Sequence, residues 1–128
     1  MEVKAIAKFV KCTPRKVNQV LALIRNKRVE KAIEILSFLP KTAALIAEKV
    51  LKSAVANAGK LKDYSDLKVK EAWVGSGSEL KRVMICSKAR KRIVRKKMAH
   101  ITIVVTDADG RGKRNNKSDE NKIKVQHK

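Results

Sequence analysis

The sequence predicts an α+β fold: three helices on a small three-stranded antiparallel sheet, in the order β-α-α-α-β-β, with a long basic β-hairpin protruding from it. Apolar side chains recur at helical spacing in three blocks between residues 14 and 58, while alternating or β-branched runs occupy 3–10, 67–74 and 101–106. Between the last two runs lies a segment dense in cations, the predicted distal half of the hairpin.

Each element has its own local reasons. From Val3 to Val10, Val3, Ala5, Ala7 and Phe9 alternate with Lys4, Ile6, Lys8 and Val10, the pattern of one short strand. Cys12-Thr13-Pro14 ends it: Thr13 is expected to cap a helix with its hydroxyl, and Pro14 suits the first helical position, where its missing N–H costs nothing. Val17, Val20, Leu21 and Ile24 then form one buried face, and Asn26 is the expected left-handed terminator. A second helix is predicted from about Val29 to Ser37, burying Ala32, Ile33 and Leu36, and Pro40 stops it from running on. The third, Lys41 to Ala58, repeats Ala43, Ile46, Ala47, Val50, Leu51, Ala54 and Val55 on one face and ends at Gly59. Its small residues permit close approach to neighbouring layers.

After a polar connection at 60–66, Leu67, Val69 and Trp73 alternate with Lys68, Lys70, Ala72 and Val74, which predicts a strand with Trp73 in the core. The strand at Ile101 to Thr106 is β-branched, and the two form the base of the hairpin. If each arm adds roughly ten residues beyond the body, the ribbon reaches on the order of 30 Å at ~3.3 Å per residue. A lone two-stranded ribbon is marginal in water, so this segment is either a ribbon or a basic loop that orders on a partner. Residues 1–106 are therefore read as one domain, with the extended hairpin at about 75–99, and 107–128, which contains Gly110, Gly112, Asn115 and Asn116, as a basic flexible tail.

Charge supplies the functional argument. The 128 residues hold 32 Lys and Arg against 12 Asp and Glu, a formal +20, far beyond the few units that solubility needs. A compact domain with that surplus repels itself, and a polyanion whose counterions are released on binding is the natural relief. Residues 80–106 concentrate the excess, with nine cations (Lys81, Arg82, Lys88, Arg90, Lys91, Arg92, Arg95, Lys96 and Lys97) and no Asp or Glu. Further basic positions are Lys8, Lys11, Arg15 and Lys16 around the first helix start, and Arg25, Lys27 and Arg28 at its end. With 3% aromatic residues the chain lacks the rings of a single-strand stacking platform, which leaves recognition of folded RNA through phosphates, 2′-hydroxyls and shape.

Other classes fit poorly. No run approaches ~18 consecutive apolar residues, no helix shows strong membrane-surface contrast, and Met1-Glu2-Val3-Lys4 lacks the layout of a secretory signal, so no membrane partner is expected. Cys12 and Cys86 are isolated and read as reduced thiols, and with only His100 and His127 beside them no metal or cofactor is expected. His100 has no nucleophile at recognisable spacing and reads as a packed or hydrogen-bonded side chain, and Gly75-Ser76-Gly77-Ser78 reads as a turn or bulge. No catalytic constellation remains. The main competitor is an architectural nucleoid-type DNA-binding protein with basic β-arms, a class whose arms usually work in pairs.

Five strings can be read together: Thr13-Pro14-Arg15-Lys16-Val17, Leu23-Ile24-Arg25-Asn26-Lys27, the run from Lys49 to Ala58, Leu80-Lys81-Arg82, and His100 to Val105. In this order and at these intervals the chain resembles the bacterial-type large-subunit ribosomal protein L-twenty-two family over about residues 5–106. The resemblance implies a structural constituent of the large ribosomal subunit that binds its rRNA, supports assembly and sends its hairpin inward to line the peptide exit tunnel. It implies rRNA, neighbouring ribosomal proteins and the nascent peptide as partners, a monomer when free, and residence on ribosomes in the cytoplasm or an organelle. Carried over by position, Lys81 and Arg82 match the family's basic pair on the arm and Arg15 and Lys16 the pair opening the first helix. The tip falls on Met84, Ile85, Cys86, Ser87, Lys88, Ala89, Arg90 and Lys91, with Ile85 and Ala89 standing where many members carry Pro and Gly.

Overall fold

A computed structural model describes residues 2–59 and 66–107. The 60–66 connection and the 107–128 tail therefore lie outside the described residues, apart from Asp66 and Asp107. The element order is β1 (Glu2–Val10), α1 (Pro14–Ile24), α2 (Val29–Phe38), α3 (Thr42–Asn57), β2 (Leu67–Ile85) and β3 (Lys91–Asp107). The sheet runs β1-β3-β2, antiparallel throughout, so the predicted α+β architecture is the observed one.

β3 is central because it can be dry on both faces: Ile101, Ile103 and Val105 are fully buried against the helices, and Thr102 and Val104 are nearly so on the other side. On the helical side they meet Val17, Val20, Leu21 and Ile24 of α1, Ala32 and Leu36 of α2, and Ala47, Leu51 and Ala54 of α3 in one core. Each large aliphatic side chain withdrawn there stabilises the fold by about 1.5–3 kcal/mol. The alanines of α3 let it lie close to β1 and β3 while touching both other helices.

The predicted terminators take the conformations expected of them. Asn26 is left-handed (φ 59°), and its N–H donates to the Val69 carbonyl at 3.0 Å while the Val69 N–H donates to Lys27 at 2.9 Å, stitching the α1–α2 link to the edge of β2. Gly59 is left-handed (φ 71°) just past α3. Thr13 is a correction: it stands at the N-cap, but its hydroxyl makes no capping bond. The backbone satisfies the turn instead, the Thr13 carbonyl accepting from Lys16 and Val17 at 3.0 and 3.2 Å.

Trp73 is a second correction. The β2–β3 register slips between Val69 and Glu71, and one extra residue reverses which face every later side chain takes. Leu67 and Val69 are buried before the bulge and Ala72 after it, so Trp73 pairs with Thr102 on the outer face and is 45% exposed. Glu2 of β1 and Lys70 of β2 reach each other across β3, and this hydrogen bond holds the Glu2 carboxyl below its usual range and the Lys70 ammonium above its own.

Candidate nucleic-acid interface

Beyond the pairing of Val10 with Ala99 the sheet loses β1 and continues as two strands. Two irregularities mark this elbow. In β1 the register shifts between Ala7 and Val10, with Phe9 at φ 55°; in β2 it shifts between Ser76 and Glu79, the bulge expected from the Gly-Ser run. Gly77 sits in that bulge because a Cβ there would lie 3.0 Å from the Met98 carbonyl oxygen. His100 is packed as expected: its Nδ1 accepts from the Phe9 N–H at 3.0 Å, and its ring meets Phe9 edge-on at 4.9 Å.

Past the elbow, seven successive pairs run from Glu79 opposite Lys97 to Ile85 opposite Lys91, a reach of about 23 Å at ~3.3 Å per residue, with the turn 86–90 beyond. Residues 80–97 are all exposed apart from half-buried Val94, so the arm does not fold back on the helices. Cross-strand partners share a face. Lys81 opposes Arg95, Val83 opposes Ile93 and Ile85 opposes Lys91 on one side; Leu80 opposes Lys96, Arg82 opposes Val94 and Met84 opposes Arg92 on the other. Like charges directly opposite destabilise a ribbon, and Lys81 with Arg95 is such a pair.

Glu79, one residue before the carboxylate-free window, partly answers this charge. Its carboxylate lies 3.5 Å from the Lys97 ammonium and 3.8 Å from the Arg95 guanidinium, exposed contacts worth at most ~1 kcal/mol. At the tip the Cys86 N–H donates to the Arg90 carbonyl at 2.8 Å, and Lys88 and Ala89 are both left-handed (φ 59° and 54°). Cys86 and Cys12 are both free thiols, the first exposed at the tip and the second half-buried at the elbow.

The remaining basic residues fall in two places. Arg25, Lys27 and Arg28 border the β2 edge, where Arg28 bridges Lys68; the Arg25 guanidinium donates to the Ala72 carbonyl at 2.7 Å and to Asn18 at 2.8 Å, which locks α1 to the sheet. Lys8, Lys11, Arg15 and Lys16 lie at the β1–α1 side and are all exposed. Lys11 and Lys16 border a concavity of about 550 Å³, closed on its far side by Gln19 and by Lys41, Thr42 and Ala43 at the start of α3. A second concavity of about 490 Å³ lies between the same Lys11–Thr13 turn and the arm root, at Leu80, Val94, Lys96, Lys97 and Met98. Neither α1 nor α3 has a side-chain cap or an acidic residue in its first turn, and the Thr13 and Lys41 carbonyls accept from Lys16 and Ala44 at 3.0 and 2.9 Å there.

Lys41, Gln19 and Glu79 carry no signal in the sequence that would single them out. Lys41 is separated from the first basic cluster by two helices' worth of chain, and only the tertiary packing of α3 on α1 brings it beside Lys16. Among the described residues no group of three His, Cys, Asp or Glu side chains is placed to hold a metal, and no helix is long and apolar enough to cross a membrane.

Body and surface together define a class: a small α+β unit that carries a cationic two-stranded arm with a cleft at its root. The chain belongs to the family described as Ribosomal protein L22p/L17e, whose model matches residues 5–106. It is 68% identical over 108 residues to the large ribosomal subunit protein uL22 of Endomicrobium trichonymphae, covering 84% of this chain and 94% of that one. The protein of the same name from Clostridium acetobutylicum is 47% identical, over 85% of this chain and all of its own length. That from Thermotoga sp. (strain RQ2) is 46% identical, over 84% of this chain and 69% of the relative.

Proposed function

We propose that this chain is a non-catalytic structural constituent of the large ribosomal subunit that binds its rRNA and supports its assembly. The observation that carries this reading is the arm: a cation-rich ribbon exposed from residue 80 to 97, apart from half-buried Val94, in which Lys81 faces Arg95 across the strands. Such a ribbon has too few apolar contacts to be held by its own body and gains stability when phosphates lie along it. The names of the relatives, all large-subunit proteins, support the same assignment, and none favours an architectural DNA-binding role.

The finer assignments belong to the same reading. Residues 1–106 form the RNA-binding unit, with 107–128 as a basic tail. The arm cations Lys81, Arg82, Lys88, Arg90, Lys91, Arg92, Arg95, Lys96 and Lys97 contact rRNA together with Lys8, Lys11, Arg15, Lys16, Lys27 and Arg28. Arg25 contributes mainly by fixing α1 to the sheet. The tip from Met84 to Lys91 lines the peptide exit tunnel and meets the nascent chain, and the protein is a cytoplasmic monomer until it joins the subunit. Co-sedimentation with large subunits through a high-salt wash is the expected result. Loss of the chain from washed subunits, or equal affinity for rRNA and random duplex DNA at physiological salt, would overturn the assignment.

A further inference from the structure

We propose that the elbow between body and arm is one continuous RNA-backbone groove, in which a sugar-phosphate strand crosses the Lys11–Thr13 turn and ties the arm root to the body. This rests on the rRNA-binding reading above and gives it a place and a mechanical role.

The two concavities at the elbow share Lys11, Cys12 and Thr13 and therefore adjoin across that turn. Cations line both halves: Lys16 and Lys41 on the body, Lys96 and Lys97 on the arm, and Lys11 on the ridge between. No carboxylate-bearing residue lines either half. Among the described residues Lys11, Lys16 and Lys96 have no carboxylate partner, and the Lys41 ammonium has only the Gln19 amide oxygen at 3.4 Å. On the arm wall Arg95 and Lys97 also border the groove, and Glu79 partly answers their charge at 3.8 and 3.5 Å.

Two adjoining concavities with ammonium groups on body, turn and arm fit an extended polyanion better than a single small anion. The scarcity of aromatic walls means that the backbone, rather than the bases, is what it holds. The side chains and the concavity carry the assignment. The groove also sits where the sheet narrows from three strands to two and both flanking strands are irregular. A strand of RNA bonded to both walls fixes the angle at which the arm leaves the body.

Cys12 borders both halves of the groove and is a built-in reporter. In the full chain carrying Cys86→Ser, Cys12 is the single remaining thiol. Saturation with a large-subunit rRNA domain is expected to slow its alkylation by iodoacetamide at least tenfold. The variant K11Q/K16Q/K41Q should lose that protection and flatten the salt dependence of binding by about two units, at ~0.7 for each phosphate left unneutralised. The control K31Q/K49Q/K52Q, altered on exposed lysines outside the groove, should keep the protection. Cys12 reacting as fast in the RNA complex as in the free chain would overturn the groove and leave the ribosomal assignment standing. Equal protection by polyglutamate at matched ionic strength would overturn RNA as its occupant. Failure of the unmodified chain to prefer rRNA over duplex DNA would overturn both proposals.

Discussion

Single residues decide how the arm leaves the body and how it turns at its end. Gly77→Ala places a methyl against the Met98 carbonyl, a backbone atom that cannot swing aside, so the elbow must shift. A cost of about 1–3 kcal/mol follows, read as a fall of roughly 4–8 °C in melting midpoint per kcal/mol. An unchanged midpoint would mean that the elbow relaxes freely. Ala89→Gly works the other way, because Ala89 holds φ 54° where a side chain is penalised by about 1–2 kcal/mol. The Cys86 amide, bonded across the turn to Arg90, should then exchange about five-fold more slowly, the factor corresponding to ~1 kcal/mol. Both residues sit in segments that local sequence singled out, yet the reason lies in the tertiary packing. Composition marks 75–78 as irregular, but the close approach of Met98 depends on a strand more than twenty residues away. Trp73 shows the same limit: alternation was legible, whereas the extra residue that reverses it is set by pairing with β3.

At the scale of elements, the helices were legible because each carries its own face and its own stop, as Val17, Val20, Leu21 and Ile24 before Asn26 demonstrate. The arm was legible for a different reason, the run of cations without a carboxylate from residue 80 to 106. What sequence could not assemble was the elbow, since Lys41 and Lys96 join Lys11 only through the packing of three separate elements. The arm's independence from the core yields two expectations. Its amides from 80 to 97 should exchange fast in the free protein and slowly on rRNA; equal protection in both states would show that the ribbon needs no partner. Reversing charge with K81E/R82E should weaken assembly into subunits while leaving the stability of the isolated protein within about 0.5 kcal/mol of the original, because both side chains are exposed. A large loss of stability would place these residues in the body's energetics rather than at its interface.

For the whole molecule, the same charges must act on folding and on binding with opposite sign. At +20 the free chain repels itself, and no RNA is present to offset the repulsion. Added sodium chloride screens exposed cations over distances beyond the Debye length, about 10 Å at 0.1 M, so the melting midpoint of the free protein should rise with salt. The rRNA complex should respond in reverse, because added salt lowers the entropy gained when binding releases condensed counterions into bulk. If six to ten phosphates are engaged along the arm and groove, affinity should fall by roughly 10³–10⁵ between 50 and 200 mM salt. Melting curves and binding isotherms over one salt series separate the two effects. A midpoint that falls with salt would mean that native ion pairs, such as those of Glu2 and Glu79, outweigh self-repulsion, which their exposure argues against. A flat affinity would mean that RNA is held by something other than these cations, and the arm would then need a different explanation for its charge.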